Sequence, residues 1–107
     1  RNSLEGVSFC YRNEAAFRQE SIIFILLVPV LILLPVSPLL KLLLFTVNAL
    51  VLIVELLNSA VEVIVDMVSP DYDKRAGLAK DMGSAAVLVS LVSAAVVWIY
   101  ALSTLII

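Results

Sequence analysis

Four polar residues punctuate one apolar stretch of the chain: Glu55, Asn58, Glu62 and Asp66, at spacings of three, four and four. On a helix that spacing puts all four along one face, with Ser59 beside them. Inserting a carboxylate into an apolar helix costs roughly 2.5–3.5 kcal/mol at the centre of a bilayer, so a partner, a cation or a water-filled cleft must compensate. A second group, Lys80, Asp81 and Ser84, falls within about one helical turn. A lysine facing carboxylates is either a salt bridge or the arrangement that holds a nucleotide's phosphates while the carboxylates hold the metal. A third group is Glu14 and Glu20. Arg18 stands four residues after Glu14, so an exposed ion pair is one reading. The other makes Glu14 a further carboxylate at the same mouth. Asp66, beside a polar connection, is served equally well by a structural role, either an inter-helix hydrogen bond or simple emergence into water.

The donor set narrows the chemistry. There is no histidine and a single cysteine, Cys10, which removes imidazole bases, internal disulfides and paired-cysteine metal sites. Carboxylate oxygens suit Mg²⁺, which keeps waters and binds through one or two carboxylates plus phosphates; they suit zinc and iron poorly. The three glycines, Gly6, Gly77 and Gly83, do not form a Gly-rich phosphate loop. The net charge of −2 offers no basic surface for nucleic acid.

The elements that must carry these residues are membrane helices. Of 107 residues, 63% are hydrophobic and the mean hydropathy is +1.13. A soluble domain this small cannot bury so much apolar surface. Residues 21–40, 42–54 and 82–107 carry no charge, and they lack the alternation of a membrane barrel. The sequence therefore predicts an all-α integral membrane protein of one domain, with three spans near 15–34, 39–68 and 78–105. Pro29 lies inside the first span, where a membrane helix tolerates a kink. Pro35 and Pro38 make the first turn, and residues 69–75 form a polar connection. Residues 1–14, running on towards 20, read as an amphipathic surface segment. The chain opens on Arg1 without a methionine, as a trimmed chain would. Basic residues gather at Arg12, Arg18, Lys74, Arg75 and Lys80, which predicts a cytoplasmic N-terminus and 69–75 connection and an outer C-terminus. Ala86, Ser90 and Ala94 are expected to let helices approach closely. Trp98 and Tyr100 are expected to anchor the outer interface.

Three blocks together resemble the prokaryotic diacylglycerol kinase family: Asn13-Glu-Ala-Ala-Phe-Arg-Gln-Glu20, Val54-Glu-Leu-Leu-Asn-Ser-Ala-Val-Glu-Val-Ile-Val-Asp66 and Ala79-Lys-Asp-Met-Gly-Ser-Ala-Ala-Val87. The first is more similar to the diacylglycerol-using branch than to the undecaprenol kinases. The resemblance implies a bacterial inner-membrane enzyme with a periplasmic C-terminus. It implies a homotrimer with shared active sites that uses MgATP to phosphorylate the primary hydroxyl of diacylglycerol to phosphatidic acid. It further implies Glu55 as general base, and Glu14 and Glu62 as the pair holding the metal with ATP. Asn58, Lys80 and Asp81 fall in the phosphate region. Asp71, Asp73, Asn2 and Ser3 fall towards the nucleoside, and Phe17, Arg18, Gln19, Glu20, Glu55, Ser84 and Trp98 towards the lipid substrate. The family carries a further amphipathic stretch ahead of Asn2, and some members have histidine where Asp73 stands, so contacts at the base end are expected to differ. Undecaprenol kinase, and a non-catalytic transport or assembly subunit using the carboxylates as an ion path, are the competing readings.

Overall fold

The computed structural model describes residues 2–107; Arg1, the first residue of the amphipathic segment, lies outside them. The described residues form four helices and no strand: α1 Ser3–Asn13, α2 Ala15–Leu33, α3 Pro38–Val68 and α4 Lys74–Ile106. The last three are long and apolar enough to cross a membrane.

Each helix end has a local cause. Asn2 Oδ1 accepts from the backbone N–H groups of Leu4 at 3.0 Å and Glu5 at 3.3 Å, satisfying donors that the first turn leaves open. Only Glu14 separates α1 from α2. Its backbone is extended, at φ −116° and ψ 108°, so the chain turns on one residue. Pro29 is accommodated inside α2. After α2, Lys41 Nζ donates to the free carbonyl of Ile32 at 2.9 Å, a favourable place for a cation. Ser37 then caps α3 through Leu40 N–H, with Pro38 in the first turn.

The second connection is shorter than residues 69–75. Asp73 caps α4 by accepting from Arg75 N–H at 2.8 Å, so Lys74 and Arg75 already belong to the helix, four residues ahead of the expected start at Leu78.

α3 is the middle element, flanked by α2 and α4 in a flat assembly of 54 × 29 × 19 Å. α3 and α4 run antiparallel. Leu40 and Leu44 meet Ala101, Val47 and Val51 meet Ala94, Asn58 faces Gly83, and Asp66 meets Lys80. Along α4 the seam reads Gly83, Val87, Ser90, Ala94, Val97, Ala101, an alternation of four and three that keeps one face on its partner. This corrects the small-residue row. Ser90 and Ala94 are buried but Ala86 is exposed, because a strict spacing of four drifts around the helix and the seam passes instead through Gly83. Trp98 is half-buried and packs on the Leu31, Leu40, Leu44 and Ala101 cluster.

Candidate active site

Towards the 69–73 connection, the buried stripe of α3 turns polar. Leu44, Val47 and Val51 are followed by Glu55, 7% exposed, and Ser59. Beyond them Glu62 is half-buried and Asp66 exposed, so the four polar positions climb from the interior into water along one helix face. Glu20, Glu14 and Glu62 all lie within electrostatic range of Glu55. α2 supplies Glu20 and the α1–α2 break supplies Glu14, so three separate segments bring carboxylates to one region.

Asn58 links this group to α4. Its Nδ2 donates to Glu62 Oε2 at 3.4 Å, while its Oδ1 is buried without a hydrogen-bond partner. A buried carbonyl oxygen without a donor is uncommon and calls for an explanation. That oxygen lies on the α4 side, away from Glu62, so the oxygen donors that would suit Mg²⁺ are the carboxylates of Glu62 and Glu14, both near Glu55. Among the described residues no three Cys, Asp or Glu side chains converge tightly enough to hold a metal ion by themselves. An ion held by Glu14 and Glu62 would complete its shell with water or phosphate oxygens.

Lys80 does not pair with the deeper carboxylates. Its Nζ meets Asp66 Oδ1 at 2.6 Å, with Glu62 in electrostatic range. Asp66 is therefore the one residue of the stripe given no role in the expected site, although its spacing from Glu62 already placed it on that face. Lys80 and Asp66 share a small pocket of about 200 Å³ with Asp71, Tyr72, Asp73 and Gly77. Asp73 is held in place by Arg75, whose guanidinium lies 3.4 Å from both carboxyl oxygens. Those hydrogen bonds keep its carboxyl below the usual carboxylate range. Asp81 and Ser84 are exposed on α4. Asp81 is turned about 100° around the helix from Lys80.

Arg18 is the clearest departure at the N-terminal side. Instead of pairing with Glu14, it donates Nη1 to the carbonyl of Tyr11 at 2.9 Å and to that of Arg12 at 3.5 Å. The open carbonyls at the end of α1 carry partial negative charge and no other partner, so they compete successfully for the guanidinium. Glu14 is left without an ion pair among the described residues. Phe17 is buried and walls an apolar groove of about 570 Å³ with Tyr11, Phe24, Leu52 and Leu56. Gln19 is exposed. Ser3 and Ser59 line a second groove, of about 590 Å³, on the side of α1 that carries Cys10. Trp98 is not brought to this region: it lies eight residues beyond Ser90, about 12 Å farther along α4.

The profile of the prokaryotic diacylglycerol kinase family matches residues 1–102. Over 96 residues the chain is 44% identical to the diacylglycerol kinase of Escherichia coli (strain K12), covering 90% of this chain and 79% of that protein. It is 48% identical to the Pseudomonas aeruginosa diacylglycerol kinase over 96 residues, covering 90% and 78%. It is 38% identical to that of Haemophilus influenzae over 96 residues, covering 90% and 81%. A helical membrane fold, a carboxylate-lined polar end and a family match across nearly the whole sequence agree: the chain belongs to the prokaryotic diacylglycerol kinase family.

Proposed function

We propose that the chain is an ATP-dependent lipid kinase that transfers the γ-phosphoryl group of ATP directly to the primary hydroxyl of diacylglycerol, giving phosphatidic acid and ADP. The observation that carries this reading is the burial of Glu55 at the junction of the apolar and polar halves of α3, with Glu14, Glu20 and Glu62 around it. A lipid hydroxyl reaches just that depth, and a soluble triphosphate can approach it from the polar side.

Glu55 is the general base. It accepts the hydroxyl proton as the alkoxide oxygen bonds to the γ-phosphorus and the bond to the β–γ bridging oxygen breaks. A positioned carboxylate within reach of the hydroxyl is the group such a proton transfer calls for. Glu14 and Glu62 would hold Mg²⁺ with the triphosphate, and Asn58 orients the Glu62 carboxylate. When bound, Mg²⁺ neutralises charge on the phosphate oxygens. Lys80 reaches the phosphates from the pair it makes with Asp66, with Asp81 beside it. Asp71 and Asp73 line the pocket facing the nucleoside, and Asn2 and Ser3 approach from the start of α1. Glu20 and Ser84 meet the lipid headgroup. Phe17 and Gln19 lie along its approach, Arg18 fixes the α1–α2 corner beside it, and Trp98 contacts lipid at the far end of α4. Most of the catalytic gain in phosphoryl transfer comes from such positioning and charge neutralisation.

The protein acts in the bacterial inner membrane, with its N-terminus and the 69–73 connection in the cytoplasm and its C-terminus in the periplasm. It works as a homotrimer with shared sites. Among the described residues of one copy no three Cys, Asp or Glu side chains converge, which is in keeping with a site completed by a neighbouring copy. The kinase names of the relatives speak against a transport or assembly subunit. The experiment is a phosphotransfer assay on the purified protein in mixed micelles, with diacylglycerol and undecaprenol offered separately. Phosphatidic acid formation with little undecaprenyl phosphate is expected. Equal or preferential use of undecaprenol would move the chain to the other branch, and no phosphotransfer to either would refute the reading.

A further inference from the structure

Gly83 stands on the α3–α4 seam across from Asn58. A Cβ atom at position 83 would run into Asn58 Oδ1, whereas Asn58 Cγ at 3.4 Å and Cα at 3.9 Å would be in ordinary contact. The collision is thus with the end of one carboxamide, not with the backbone of α3. Gly6 and Gly77 have nothing within 4 Å of a Cβ built on them, so close approach singles out Gly83 among the glycines.

The orientation of that carboxamide follows from its other contact. Nδ2 donates to Glu62 Oε2, and an ionised carboxylate offers only acceptors. Oδ1 must then point towards α4, where it is buried without a hydrogen-bond partner. With any side chain at position 83 this pose is blocked, and Asn58 has to swing away from Glu62. Glycine is a poor residue for the interior of a helix, so α4 gives up helix stability at the one position that leaves Asn58 its room.

We propose that Gly83 is a positioning residue of the active site: its bare Cα lets Asn58 stand on the seam and aim the Glu62 carboxylate at the bound nucleotide. This rests on the reading of Glu62 and Asn58 as nucleotide-side residues. The test is a cycle of Gly83→Ala, Asn58→Ala and the double variant, read as KM for MgATP, KM for diacylglycerol, kcat and thermal unfolding. Gly83→Ala raises KM for MgATP about tenfold, the scale of one lost hydrogen bond, and leaves KM for diacylglycerol unchanged. In the Asn58→Ala background the same substitution changes neither constant and does not lower the melting temperature, because the obstacle is gone and alanine favours the helix. A wild-type KM for MgATP in Gly83→Ala, or effects that multiply in the double variant, overturn the inference. An Asn58→Ala chain with wild-type MgATP affinity would remove the site reading itself, and the role of Gly83 with it. Should Gly83→Ala fail to fold, recovery of folding in the double variant supports the inference, and continued failure overturns it.

Discussion

The two halves of α3 share one periodicity and do opposite things. From Leu40 to Val51 the buried positions are Leu and Val set against Ala94 and Ala101 of α4. Over the next four turns or so the same helix buries Glu55 and Ser59 and sets Asn58 and Asp66 against Gly83 and Lys80. Helix geometry alone aims both sets at their neighbours; only side-chain chemistry separates a packing half from a polar half, the half proposed to react. A continuous, well-packed helix is also a rigid mount, so the apolar half fixes the depth at which Glu55 sits.

The sharpest way to break this contrast is at Glu55. Glu55→Gln keeps the shape and removes the base, and kcat falls by about 10²–10⁴-fold, measured as phosphatidic acid formed under saturating substrates. Retained turnover would mean that the polar half does not supply the base. The complementary substitution in the other half is Leu44→Ala, at a fully buried position. It destabilises the fold by about 2 kcal/mol or more through the cavity it leaves, seen as a lower melting temperature in detergent, while kcat per folded molecule stays near wild type. A collapse of kcat without loss of stability would erase the division of labour.

Smaller effects sharpen the boundary. Asp66→Asn frees Lys80 from its partner and raises KM for MgATP by about threefold, on the scale of an exposed ion pair; the effect shrinks at high salt. An effect confined to the KM for diacylglycerol would place Lys80 elsewhere. The smallest change concerns Asp73. Its carboxyl titrates below its unfolded value because Arg75 holds the charged form. Its contribution to α4 is therefore complete above about pH 4, near the ordinary Asp value, and is lost as pH falls through the lowered folded value. Hydrogen exchange at residues 74–77 should rise over that acid range in the native protein and lose this dependence in Asp73→Asn, which still caps.

Much of this was legible in the sequence for a simple reason. Uncharged runs and three-four spacing are local properties, so the three long helices and the shared face of Glu55, Asn58, Glu62 and Asp66 follow from chain geometry. What escaped depended on which neighbour competes best. Arg18 has a carboxylate four residues away and still binds the carbonyls of Tyr11 and Arg12, because another helix happens to end there. Lys80 stops at Asp66 because that is the carboxylate at its level in the α3–α4 register. Asp73 looked like the middle of a polar connection, and only its hydrogen bond to Arg75 N–H makes it a cap. Gly83 carried no signal at all, since its meaning lies in the Asn58 side chain across the seam.

Equilibrium MgATP binding to Glu55→Gln and Glu62→Gln, measured side by side on folded protein, tests the central assignment most directly. If α3 presents a base at one level and a nucleotide-side ligand about two turns further on, Glu55→Gln binds MgATP as the wild type does and Glu62→Gln binds it markedly more weakly. Equal affinities in both variants, or a loss confined to Glu55→Gln, would contradict that arrangement.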